Sequence, residues 1–147
     1  MEADLLTSVV TSALIISFLI LSAVHVYWAV GGAVGLEHVV PHINEKPAFT
    51  LGPIVTVVVA LGLLGCALLT LILGLGAPDR APFDPYYGYV GWGLCGLFCA
   101  RAVGDFKLVG FFKTVKGTLF AHFDTRYYSP LCSMVALGLA YLSAGAI

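Results

Sequence analysis

Residues Pro47–Pro78 read PAFTLGPIVTVVVALGLLGCALLTLILGLGAP, with no Asp, Glu, Lys or Arg. A helix needs about 20 apolar residues to cross ~30 Å of hydrocarbon, and this run exceeds that length. Gly52-Pro53 opens it, with proline in the first turn, where its missing N–H costs nothing. Gly74-Leu75-Gly76 and Pro78 close it. The run predicts a membrane-spanning helix over 53–75.

The same test applies outward along the chain. Leu5–Leu36 carries no charge and meets Gly31-Gly32, which predicts a helix over about 5–30. Pro85–Ala100 is charge-free, and Arg101 extends it by reaching its head toward the interface. With Asp84 as N-cap, it predicts a helix over 85–104. Tyr127–Ile147 is charge-free too, with Ser129-Pro130 as cap and first turn, predicting 129–147. In lipid a backbone must bond within its own segment, so these are helices. Period-two alternation is absent, which argues against a barrel. The expected fold is all-α, a four-transmembrane-helix bundle forming one domain over 1–147.

Composition agrees. Hydrophobic types are 60% and charged types 10% of 147 residues, with mean hydropathy +1.00. Soluble domains carry roughly 25% charged residues. The net charge of −1 is too balanced for a nucleic-acid partner. The acidic start, Met1-Glu2-Ala3-Asp4, and the long run after it predict a retained first helix and no cleaved signal.

Lys46, Arg101, Lys107, Lys113, Lys116 and Arg126 fall on one side of such a bundle, and Arg80 alone on the other. The positive-inside rule then puts the first and third loops in the cytoplasm and both termini outside. The third loop carries Leu108, Phe112, Val115, Leu119 and Phe123 at helical spacing, with Lys113 and Lys116 on other faces. This predicts an interfacial amphipathic segment between the third and fourth helices. Its basic residues, Lys107, Lys113, Lys116 and Arg126, would meet anionic lipid headgroups. A loop folded over the bundle end is the alternative.

Small residues four apart let membrane helices approach closely. Gly96, Ala100 and Gly104 form such a row on the third helix, and Ala136, Ala140 and Ala144 on the fourth. These rows predict packing of the third helix on the fourth, with a homodimer through one row as the rival.

Three stretches carry a resemblance: His25-Val26-Tyr27-Trp28-Ala29-Val30-Gly31-Gly32, Arg101-Ala102-Val103-Gly104-Asp105-Phe106 with Val109-Gly110-Phe111-Phe112-Lys113, and Phe123-Asp124-Thr125-Arg126-Tyr127-Tyr128-Ser129-Pro130-Leu131-Cys132. The chain resembles a family of small bacterial four-helix membrane proteins filed as a domain of unknown function. The resemblance implies a bacterial cytoplasmic membrane protein and no particular activity.

His25 and Arg101 lie inside helices, where polar groups cost energy. His25 shares a face with Ser22, Trp28, Ala29 and Gly32, which should look into the bundle. Arg101 and Asp105 are i, i+4 and can pair. His25, Trp28, Arg101 and Asp105 therefore form a candidate polar cluster at the inner face, either structural or ligand-binding. Cys66, Cys95, Cys99 and Cys132 form no C-x-x-C and read as small buried hydrophobes. Pro41 breaks helical spacing between His38 and His42, so no metal is expected. No nucleotide-loop or nucleophile-elbow pattern occurs. The sequence thus predicts a non-catalytic bundle, which binds a lipid-like ligand or serves a larger membrane complex. No cofactor is expected. The alternative is a small redox enzyme or carrier using His25, Arg101 and Asp105 around haem or quinone.

Overall fold

The computed structural model describes residues 2–43, 46–47, 52–75 and 84–146. Arg80 and the side chains of His42 and Lys46 fall outside that description. The fold is all-α. Its long helices are α1 (Glu2–Ala29), α3 (Pro53–Leu75), α4 (Asp84–Val103) and a final helix built from α5 (Leu119–Phe123), a π turn (Asp124–Tyr128) and α6 (Ser129–Ala144). The short helix α2 (Leu36–Val39) and a two-residue antiparallel pairing, His42–Ile43 with Lys46–Pro47, lie between α1 and α3.

Two hairpins make the bundle: α1 packs on α3, and α4 on α6. On α3 a row of small residues, Thr56, Ala60, Ala67 and Thr70, is buried. Gly74 continues it, so close to Thr11 of α1 that a side chain there would collide with the threonine. Ser22 of α1 donates to the Ala60 carbonyl at 2.9 Å. Phe18 of α1 and Leu139 of α6, both fully buried, join the hairpins, and the Phe18 ring meets Phe98 of α4 at 5.7 Å.

The α4–α6 contact uses a different row from the one read in the sequence. Gly96 has open space where a side chain would stand, and Ala100 is exposed. Gly88, Gly91, Cys95 and Ala102 are the buried positions, and a side chain on Gly91 would strike Ser143 of α6. On α6, Ala136 is buried, Ala140 partly buried and Ala144 exposed. The helical phase is the reason: the buried positions recur at three, four and seven, while the 96–100–104 row lies on the opposite side. Gly104 serves the loop after α4 instead.

That loop is not the amphipathic helix expected from its apolar spacing. Asp105 accepts the backbone N–H groups of Lys107, Leu108 and Val109 at 2.9, 2.7 and 2.9 Å, a turn that competes with helix. Gly104 and Gly110 have φ of +90° and +89° and approach so closely that neither has room for a side chain. Phe111 N–H then reaches the Ala102 carbonyl at 2.9 Å, capping the end of α4. Residues 104–118 fold back over the bundle end, and helix resumes at Leu119 with Thr118 as N-cap.

Ser129 and Pro130 do not start the last helix. They continue it. Pro130 has no N–H for the Arg126 carbonyl and its ring crowds the preceding turn. The π turn just before it widens the helix, with Ser129 N–H bonded to the Asp124 carbonyl.

The stretches Leu5–Ala29 and Pro53–Leu75 are long and apolar enough to cross a membrane, with hydropathies of 2.3 and 2.7. Most of each faces outward rather than into the bundle.

Candidate functional site

At the end of the bundle where α1 and α4 terminate, a cleft of about 670 Å³ opens between α1, α2, α3, α4 and the final helix. Its wall is mostly apolar, with Leu21, Val24, Leu63, Phe98, Phe120 and Leu131 contributing. The polar groups in it are His25, Trp28, His38, Arg101 and Tyr128. Ligand pockets of ~300–1,000 Å³ have this character, with apolar walls and few polar groups.

Local sequence places each of these groups. After α1, Gly31 at φ +98° turns the chain, and the Trp28 indole N–H donates back to the Val34 carbonyl at 2.9 Å. Gly35 at φ +83° opens α2 and brings His38 to the cleft. The His38 ring stands edge-on to Phe123 at 4.5 Å. His25 Nδ1 donates to the Leu21 carbonyl of its own helix at 2.7 Å. In the neutral ring this leaves Nε2 as an acceptor. The His25 ring also meets Trp28 edge-on at 5.1 Å.

Arg101 has a different partner from the one its spacing suggests. Its Nη2 donates to Asp124 Oδ1 at 2.9 Å. Asp105 is exposed, bonds the loop backbone and does not line the cleft. The N–H of Val109 leads the bonds that hold the Asp105 carboxyl below its ordinary range, and those of Leu108 and Lys107 add to it against the opposing loss of hydration. Of the expected cluster, His25, Trp28 and Arg101 share one cavity and Asp105 stands apart.

Asp124, at the first position of the π turn, is fully buried. Lys113 Nζ donates to its Oδ2 at 2.9 Å and Gly110 N–H to the same oxygen at 2.8 Å. Lys113 also donates to the Gly110 carbonyl at 2.8 Å and to Thr125 Oγ1 at 2.6 Å. Its side chain is 2% exposed, so Lys113 is an internal ion and not a headgroup contact. The expected interfacial set keeps Lys107, Lys116 and Arg126 on the surface. Lys116 and Arg126 border a second, more polar cleft of about 510 Å³ with His122.

Sequence reasoning left Asp124 and His38 out of the cluster. Asp124 could have been found by charge balance: Asp105 and Asp124 are the only acids in a stretch holding Arg101, Lys107, Lys113, Lys116 and Arg126. His38 carried no such signal. Among the cysteines, Cys95 is buried, Cys66 and Cys132 are partly buried, and Cys99 is exposed rather than buried. Cys132 lines the cleft. Among the described residues no three His, Cys, Asp or Glu side chains converge as metal ligands.

A family model described as "Protein of unknown function (DUF3995)" matches residues 18–140. The match takes in both the cleft and the Asp124 cluster, and the chain belongs to that family. No curated protein and no solved structure matches.

Proposed function

We propose that this chain, as a member of that family, is a four-span membrane protein whose cleft binds a lipid-like ligand without transforming it. The carrying observation is the cleft itself: an apolar chamber of about 670 Å³ with Arg101, His25 and His38 in its wall.

Four spans are supported by what the helices turn outward. Ile16 and Ile20 on α1, Val58 and Leu61 on α3, Val90 and Leu97 on α4, and Met134 and Leu137 on α6 are all exposed. Water-facing surfaces rarely carry contiguous apolar patches above a few hundred Å². Here every long helix turns large apolar side chains outward. The 20 residues of α4 rise about 30 Å at ~1.5 Å each, the thickness of the hydrocarbon core. The basic count favours the cleft end in the cytoplasm, both termini outside, and a bacterial inner membrane as the site.

The mostly apolar wall favours binding over catalysis. A quinone or haem carrier is the other reading. His25 bears on it, because its Nδ1 is committed to Leu21 and only Nε2 remains to ligate or accept.

Native mass spectrometry of the detergent-extracted full chain tests the proposal. Retained mass matching an amphiphile, lost in Cys132→Phe, supports it. Bare polypeptide alone, even after incubation with excess bacterial lipid extract, overturns it.

A further inference from the structure

The charges around Asp124 do not balance. Arg101 and Lys113 bring two positive charges and Asp124 one negative charge, all in contact. An ammonium has three donors, and Lys113 spends its three on Gly110, Asp124 and Thr125. Both Asp124 oxygens are occupied, Oδ1 by Arg101 and Oδ2 by Lys113 and Gly110. The surplus positive charge therefore rests on Arg101. Its second terminal nitrogen, Nη1, is buried with no acceptor among the described residues. Arg101 also stands in the wall of the large cleft, and among the described residues no carboxylate lines that cleft. Glu37, beside His38 at 3.8 Å, is itself largely exposed. A buried guanidinium donor without an acceptor is costly. A charge-assisted bond from the exposed part of Arg101 to an anion in the cleft would answer the missing charge.

We infer that the cleft takes a single-chain amphiphile whose head carries one negative charge, gripped by Arg101, whose side chain is 35% exposed, while its chain lies against Leu21, Val24, Leu63 and Phe98. This deepens the ligand-binding reading and rests on it. Asp124 and Lys113 act as positioning residues. Asp124 fixes the guanidinium through Nη2, and Lys113 keeps Asp124 from neutralising Arg101 outright. Two sources supply such a head: the carboxylate of a fatty acid or the phosphodiester of a single-chain lysophospholipid.

The probes are octanoate, methyl octyl phosphate and octanol, each brominated near its head group, whose bromine quenches tryptophan on contact. Trp28 lines the cleft. The other of the two tryptophans, Trp92, is replaced in a Trp92→Phe background. Either anion should quench Trp28 at concentrations at least ~10-fold below those needed with octanol, as a charge-assisted bond implies. The stronger of the two anions names the source. Arg101→Gln should erase the preference. Should that variant fold poorly, the comparison in the parent protein still decides, since it needs no change at Arg101. Equal quenching by octanol and both anions overturns the charge assignment and leaves the cleft reading standing. No quenching by any of the three overturns the cleft reading itself.

Discussion

Arg101 near the end of α4 and Asp124 at the start of the π turn, 23 residues apart, meet at 2.9 Å. The bond fastens the α4 hairpin at the end where the cleft opens, and the aspartate is fully buried. Removing its charge leaves two cations facing each other. Asp124→Asn should therefore cost about 3–5 kcal/mol, the range for breaking a buried pair from one side. Lys113→Met, which leaves Asp124 paired with Arg101 and Gly110 N–H, should cost less. Denaturation of both variants in detergent checks the order. Equal or reversed losses would show that Lys113, not Asp124, organises the cluster.

The helix contact makes a second prediction. A side chain on Gly91 would strike Ser143, whereas one on Gly96 meets nothing within 4 Å. Gly91→Leu should cost about 1–3 kcal/mol by overpacking. Gly96→Leu should stay within ~0.5 kcal/mol of the parent, as substitutions outside the packed interior do. Thermal melts in one detergent compare them. A destabilised Gly96→Leu would point to a partner helix on that face.

Asp105 governs the loop over the bundle end, and its carboxyl is held low by the backbone bonds it accepts. A carboxyl depressed in the fold contributes stability above its unfolded pKa and loses it as pH falls through the folded value. The amide resonances of Lys107, Leu108 and Val109 should therefore titrate together, with a midpoint below that of an ordinary aspartate. In Asp105→Asn the transition should vanish. A midpoint at or above the ordinary value would mean the three bonds do not favour the charged form.

Much of the helix layout was legible from long charge-free runs, which a membrane-spanning backbone requires to be helical. Helices α1, α3 and α4 overlap the first three charge-free runs, and the final helix starts at Leu119, eight residues before the fourth. What the sequence left open was rotation about each axis. Gly96-Ala100-Gly104 and Gly88-Gly91-Cys95 are equally small, and only packing decides between them. The loop misled for a similar reason. Leu108, Phe112 and Val115 carry helical spacing, but Asp105 and the close approach of Gly104 to Gly110 turn the chain first. In the site, His25 and Arg101 stood out as polar groups within helices. Asp124 was hidden because it sits in a run that reads as a loop before Pro130, and only the π turn places it inside.

The proposed orientation rests on the basic residues. A single cysteine introduced at Lys116, which is exposed, in a background lacking Cys66, Cys95, Cys99 and Cys132, should react with an impermeant maleimide only after the cells are opened. Reaction in intact cells would invert the topology.

The central claim is that a lipid-like chain occupies the cleft rather than only bathing the outer surface. Photo-crosslinking separates the two. A fatty acid with a diazirine midway along its chain is added to membranes holding the full protein, irradiated, and the labelled peptides are mapped. The account predicts label concentrated on the cleft wall, at Val24, Leu63, Leu131 and Cys132, and lost from those positions in Arg101→Gln. Label spread over outward-facing Leu61, Leu68 and Leu137, with none on the cleft wall, would contradict it.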